Sequence, residues 1–264
     1  MAEVTEAIKE RFQNYVSRWN SYQTLYHKKE EEFLQEFAQT GRKSAKLQAA
    51  LTRVNITSFL LSQNMLFMSL SGRRHEKALN EARKSCYQSI LHVTEVTNQY
   101  INAPLSDYLV YQNDLKLFDD IERFQLARKL LFTVDYLEIG YGENTKWKWS
   151  IADLMLRAIV AARNIMNIEE MGREFAPTKN GYQERVWHWQ IVRQGLQHAA
   201  LLCRNKYELV SRSINDLRAG IELLQALYRL LMLTGEREYA EKVKTQERVW
   251  KKKMEEDFQK KDST

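Results

Sequence analysis

A carboxylate-bridged metal pair in a helical bundle needs Glu-x-x-His segments that project inward from facing helices. The chain has none, and no His-x-x-x-His. Glu184 and His188 stand four apart, a spacing that reads as a surface hydrogen bond between neighbouring turns. Phosphate-cradling loops are absent: there is no G-x-x-x-x-G-K-[ST] and no G-x-G-x-x-G, and Gly140-x-Gly142 reads as a turn. No G-x-S-x-G elbow presents a nucleophile. Asp119, Asp120 and Glu122 crowd one stretch; paired acid–base work would need burial, and their place beside Phe118 and Ile121 predicts a wet helix face instead. Cys86 and Cys203 are far apart and read as small buried apolar residues. The expectation is no catalytic residue, no cofactor and no metal.

The residues left with something to do are aromatic. Trp147-x-Trp149 lies in KWKW and Trp187-x-Trp189 in RVWHW. Residues two apart point about 200° apart on a helix, so one Trp of each pair faces a core and the other faces a second layer or a partner. Trp is a favoured interface anchor, and Lys146, Lys148 and Arg185 add cation–π capacity. Trp147, Trp149, Trp187, Trp189, Lys146, Lys148 and Arg185 are therefore the candidate partner-binding residues. Both pairs start helices, so antiparallel neighbours would hold them at opposite ends.

The elements that position them are helices. In 264 residues there are 9 Gly and 2 Pro, too few for the turns of a sheet protein. Apolar residues recur at spacings of three and four from Ile8 through Tyr26, and Thr40–Gly41 stops this first helix. A second runs from Ser44 to Gly72, and its nearly all-apolar stretch Phe59–Leu70 predicts burial by neighbours on several sides. A third covers His75–Ile101, a fourth continues from Ser106 or Asp107 to Leu137, and a fifth runs Lys146–Phe175 after the turn at Gly140–Asn144. Pro177, Asn180 and Gly181 form a second loop. The sixth helix starts at Tyr182 and breaks near Ser211–Ser213, where Ser213-Ile-Asn-Asp216 reads as a capping box. The seventh spans Ile214–Thr234 and the eighth Glu236–Gln259. The fold class is all-α, about eight helices in an elongated bundle or a layered array of hairpins. Residues 1–139 are expected as an N-terminal long-helix bundle, 145–260 as a C-terminal hairpin region, and 261–264 as a frayed tail.

One stretch resembles a tetratricopeptide hairpin. Leu224, Leu227, Tyr228 and Leu231 precede Gly235-Glu-Arg-Glu-Tyr-Ala240, where Gly235 is similar to that family's inter-helix Gly and Ala240 to its small packing residue. Lys244 stands where the family has an aromatic, and the closing Pro is absent. A looser echo occurs at Gly72–Ala78, and no 34-residue period runs through the chain. The resemblance implies a helical-hairpin interaction scaffold over residues 222–256 and supplies no ligand-binding residues. By type alone the chain also resembles structural proteins of filaments and sheaths, such as the helical sheath proteins of spirochaete flagella.

Charge adds a limit. The chain has 40 Lys+Arg and 34 Asp+Glu, a net of +6, and the two signs interleave as on solvated helix faces. Nucleic-acid or anionic-membrane binding is the alternative, with Lys251–Lys253, Lys260, Lys261 and Trp250 as its surface. An enzyme without a readable motif is another. MAEVTEAIKERF has no apolar signal region and no run spans a bilayer. A soluble chain is expected, cytoplasmic by default or periplasmic if it is a mature one. The leading expectation is a non-catalytic scaffold or assembly subunit that binds other proteins or itself.

Overall fold

The computed structural model describes residues 5–142, 145–172 and 180–262. Among them ten α-helices and no strand occur. They are α1 (Glu6–Thr40), α2 (Lys43–Ser71), α3 (Glu76–Val96), α4 (Leu105–Gln112), α5 (Asp120–Tyr141), α6 (Lys148–Asn164), α7 (Ile168–Gly172), α8 (Tyr182–Lys206), α9 (Ile214–Leu233) and α10 (Arg237–Asp262). Thr5 caps the start of α1, and the Gly41 N–H closes its end on the Phe37 carbonyl.

The helices stack as hairpins. In α2–α3, Thr57 bonds Ser85 and Ser89 bonds the Ala50 carbonyl, which fixes an antiparallel pair. In α5–α6, Arg123 reaches the Ile165 carbonyl while Tyr141 packs on Trp147, again antiparallel. In α8–α9, Trp189 near the start of one bonds Glu236 just past the end of the other. The first helices of these hairpins lie side by side and run parallel: Lys129 on α5 bonds Asn55 on α2, and Phe124 on α5 packs on Trp187 of α8. The second helix of each hairpin also packs on the first helix of the next, α3 on α5 and α6 on α8. This is the layered hairpin array, a helical-repeat-like fold, with α1 on the outside of α2 and α10 against α9. One contiguous apolar cluster runs from Leu47 on α2 to Trp250 on α10. Gly235 (φ +78°) makes the tight α9–α10 connection, and Ala240 near the start of α10 is buried.

Close approach of α6 and α8 depends on Gly195. A Cβ there would lie 2.3 Å from Cδ1 of Ile159, which is itself fully buried. Gly195→Ala should therefore destabilise the fold by about 1–3 kcal/mol with helix content kept, measured by urea unfolding followed by circular dichroism.

Several expectations are corrected. The third helix ends at Val96, and residues 97–104 form a loop. The fourth is two helices, with a short 3-10 turn at Asn113–Leu115 and a restart at Asp119. Asp119 and Glu122 are on the wet side as expected, but at a helix start and not inside one: they form a reciprocal capping box that begins α5. The Asp119-x-x-Glu122 spacing carried that signal. The fifth stops at Asn164, α7 begins at Ile168, and the rest of the expected span to Phe175 lies outside the described residues, as does Pro177. Gly140 is buried inside α5, and Gly142 is the residue that caps it. The break near Ser211–Ser213 is real, made by a wide π turn at Tyr207–Ser211 and Arg212 in the left-handed region. The Ser213 capping box does not form; the Ser211 hydroxyl bonds Asp216 instead, at 2.6 Å. The Phe59–Leu70 stretch is covered less than expected, since α1 and α3 flank it but leave Met65 and Met68 exposed. Lys261 and Asp262 of the expected frayed tail continue α10, and the last two residues lie outside the described set.

The C-terminal end of α6 is the structural junction. A helix leaves its last carbonyls without intrahelical partners. Here side chains from elsewhere take them. His188 Nε2 donates to the Ala162 carbonyl at 2.9 Å, and the Tyr111 hydroxyl to that of Asn164 at 3.1 Å. Arg123 donates to the Ile165 carbonyl at 3.3 Å, and Gln112 to that of Met166 at 3.0 Å. Arg123 also donates to the Leu115 and Phe118 carbonyls at 2.8 Å each, tying the break before α5 to this end. Arg163 donates to the Ile101 carbonyl and Asn164 to Asn98, so the 97–104 loop is fastened here too.

Candidate interaction surface

The two Trp pairs divide as the 200° argument requires, and each pair sits at its own end of the antiparallel α6–α8 pair. Trp189 is buried and its indole N–H donates to Glu236 at 3.0 Å, so it fastens α8 to the α9–α10 connection. Trp187 is 44% exposed and lies 5.7 Å from the Phe124 ring. Arg185 is not available to a partner: it is buried, bonded to Asp120 at 2.6 Å and to the Asn180 carbonyl. Desolvated groups keep their charge when paired, and Asp120 supplies that pair rather than standing on the wet side. Trp147 is half-buried between Tyr141 and the Arg83 guanidinium, with Lys146 over its ring at 5.4 Å. Trp149 is half-buried with Lys148 over it at 5.5 Å. The expected cation–π pairs are made within the chain. Glu184 and His188 are not a surface pair either, since His188 is buried against the Ala162 carbonyl.

What the sequence did not reveal is the groove that lies one turn beyond Trp187. Because α5 and α8 run parallel, Arg128, Leu131, Phe132 and Asp135 of one face Ile191, Gln194 and His198 of the other across a cleft of about 290 Å³, also lined by Met155 and Gly195, and the Phe124–Trp187 contact lies one turn beyond it. Phe132 is 57% exposed and lies 4.5 Å from the Tyr136 ring. Arg128 stacks on Phe124 at 5.4 Å. Burial raises the Asp135 carboxyl above the ordinary carboxylate value, and the His198 imidazole across the cleft opposes that shift. The groove thus has one exposed aromatic, Phe132, beside Leu131 and Ile191, and a mixed polar rim of Arg128, Asp135, Gln194 and His198. No period-based argument finds it, because its two sides are some sixty residues apart in sequence.

The other candidates are placed as follows. Trp250, assigned to a basic surface, is instead buried against α9, with Arg204 over its ring. Lys251, Lys252 and Lys253 are each paired four residues away, with Glu247, Glu256 and Asp257. Burial works against the Glu247 charge, but hydrogen bonds from Lys244, Lys251 and Gln225 outweigh it and hold the carboxyl at about 2. Cys86 and Cys203 are free and buried, and burial pushes both thiols up to about 12. Among the described residues no cluster of three or more His, Cys, Asp or Glu fits a metal ion. No helix there is long and apolar enough to cross a membrane.

One buried ionic group stands apart. Glu30 is the buried residue of α1; its carboxylate accepts from Arg53 Nε at 2.6 Å and lies 3.2 Å from His92 Nε2. The group borders a cleft of about 470 Å³ between α1, α2 and α3. Burial alone would raise the Glu30 carboxyl; the His92 and Arg53 hydrogen bonds and the Arg53 charge outweigh it and hold it below the ordinary value. A carboxylate held ionised in this way is suited to anchoring α1, not to donating a proton.

The geometry defines an array of stacked helical hairpins with a groove between the α5–α6 and α8–α9 pairs. The chain belongs to the TP0443 family, whose model matches residues 8–258. The family has no established function. No curated protein and no solved structure matches the chain.

Proposed function

We propose that this protein is a non-catalytic helical scaffold or assembly subunit that docks a protein segment in the α5–α8 groove. The carrying observation is exposed Phe132 on a cleft bounded by Arg128, Asp135 and His198, continued one helical turn beyond its end by exposed Trp187 against Phe124. Stacked helical hairpins present extended surfaces of this kind to partners, and the tetratricopeptide-like α9–α10 hairpin agrees with such a role. The partner is another protein or a second copy of the chain, and self-association through the groove would build a filament or sheath. Nucleic-acid binding finds less support, because Lys251, Lys252 and Lys253 are matched by neighbouring carboxylates, while the side chains of Lys260 and Lys261 lie outside the described set.

The test places a photo-crosslinking residue at Phe132 in cells, with a second at exposed Lys252 as control. One protein, or a second copy, should be captured from position 132 alone. With that partner purified, Trp187→Ala should weaken binding by about thirtyfold or more, the scale of an aromatic hot spot. An unchanged affinity in the Trp187→Ala/Phe132→Ala double variant would overturn the assignment of this groove.

A further inference from the structure

The outer end of the α1–α2 hairpin carries a second surface of different character. On α1, Arg11, Tyr15, Arg18, Tyr22 and Leu25 follow one another at spacings of four, three, four and three, so they form one stripe. Tyr15 is 52% and Tyr22 54% exposed. Leu66 and Leu70 on α2 stand four apart beside this stripe. Between the helices lies a cleft of about 640 Å³ lined by Arg11, Asn14, Tyr15, Arg18, Leu66 and Leu70. Phe12, Phe67 and His75 pack together at centroid distances of 5.2–5.5 Å and hold the two helices at this spacing.

The charge of the cleft is one-sided. Neither Arg11 nor Arg18 is ion-paired among the described residues, and α2 contains no Asp or Glu in its whole length. Glu10 precedes Arg11 in sequence but points about 100° away from it, and Glu6 is paired with Lys9 at 2.5 Å.

We propose that this cleft receives an acidic amphipathic helix from a partner protein. From Arg11 to Leu25 the stripe is about 21 Å long, the length of a helix of roughly four turns. An apolar face recurring every three and four residues would lie on Tyr15, Tyr22, Leu66 and Leu70, and flanking carboxylates would meet Arg11 and Arg18. A second copy of this stripe is a poor occupant, because it would set arginine against arginine. Stacked nucleobases fit less well, because one face of the Tyr22 ring is already stacked and Tyr15 leans on a neighbouring ring, which leaves their exposed edges for side-chain packing. Tyr22 stacks on Phe59 at 5.9 Å and 10°, and Tyr15 packs on Trp19 at 6.2 Å. The surface is separate from the α5–α8 groove and shares with it only the premise that the ligand is a protein.

The probes are two labelled helical peptides with the same leucine face, one rimmed with glutamate and one with lysine, titrated into the full chain by fluorescence anisotropy. Oligothymidylate and phosphatidylglycerol vesicles are run beside them. The glutamate peptide should bind and weaken with added salt, and Arg11→Glu/Arg18→Glu should cost roughly tenfold or more in affinity. Both arginines border open solvent, so circular dichroism of that variant should match the parent; Leu66→Asp supplies an independent loss from the apolar side. Trp187→Ala should bind the peptide normally, which separates failure here from failure of the α5–α8 groove. Equal binding of both peptides, or no binding of the glutamate peptide, overturns the proposal. So does arginine-dependent binding of the oligonucleotide or the vesicles in place of the peptide.

Discussion

Arg163→Ala should destabilise the protein by about 3–5 kcal/mol, the scale of emptying a large core site and stranding its hydrogen-bond partners. Arg163 is 0% exposed and is the largest of the fully buried side chains. Its partners among the described residues are neutral: the Ile101 carbonyl at 3.1 Å, the Tyr108 hydroxyl, and the Tyr108 ring, 4.0 Å below the guanidinium. It sits in the last turn of α6, where the helix dipole favours a cation. Burial nonetheless pulls the guanidinium below its ordinary pKa, with the Tyr108 hydroxyl opposing. Alanine would leave a cavity and an unpaired Ile101 carbonyl, and the Tyr108 hydroxyl would keep only the bond from the Ala103 N–H. Urea unfolding gives the free energy. Hydrogen exchange should show loss of protection centred on residues 97–104, the loop that Arg163 and Asn164 fasten. Arg163→Met keeps most of the volume and removes the charge, so it should cost only about 1–2 kcal/mol. Equal costs for both variants would mean that the cation and its bonds, not volume, hold the junction.

Acid should weaken the fold through His188 over a defined window. Burial lowers its pKa from 6.5 to about 4; the bond to the Ala162 carbonyl opposes the shift and the Arg123 charge assists it. Above pH 6.5 the imidazole is neutral in both folded and unfolded chains and costs nothing. Between about 6.5 and 4 the unfolded chain takes up a proton that the folded chain refuses. Stability therefore falls as pH falls, by about 3 kcal/mol in all, because each tenfold loss of proton affinity on folding is worth about 1.4 kcal/mol. His188→Gln keeps a donor for Ala162 and cannot titrate, so its stability should be flat from pH 6.5 down to about 5, above the range of Glu30. Glu30 has the same sign but acts lower. Its folded pKa lies below the ordinary 4.5, so its contribution is present above 4.5 and is lost as pH falls below that. Stability measured at pH 7, 5.5 and 4.5 in parent and His188→Gln separates the two. A slope that survives in His188→Gln above pH 5 would assign the titration elsewhere.

These two residues also mark the limit of what the chain reveals on its own. Helix positions were legible because their causes are local. The three-and-four spacing of apolar residues, and stops at Gly41, Gly72 and Gly235, act within a turn or two of themselves, and scarce Gly and Pro leave no other fold class. The antiparallel placing of the Trp pairs followed from the same geometry. The Asp119–Glu122 capping box was equally local and carried a signal that the acidic-cluster reading passed over. The destinations of the polar side chains were not legible. Arg163 reads as one more exposed helical cation until Ile101 and Tyr108, 62 and 55 residues away, close over it. Arg185 reads as an interface cation until Asp120, 65 residues away, takes it inward. His188 reads as a surface neighbour of Glu184 until the end of α6 meets it. Burial of a charged or polar group depends on whether distant segments bring it partners, and periodicity records only which way the group points. The same holds for the surfaces: each Trp pair was visible, but only the parallel packing of α5 on α8 set Phe132 and His198 on one cleft, with Trp187 against Phe124 beside it.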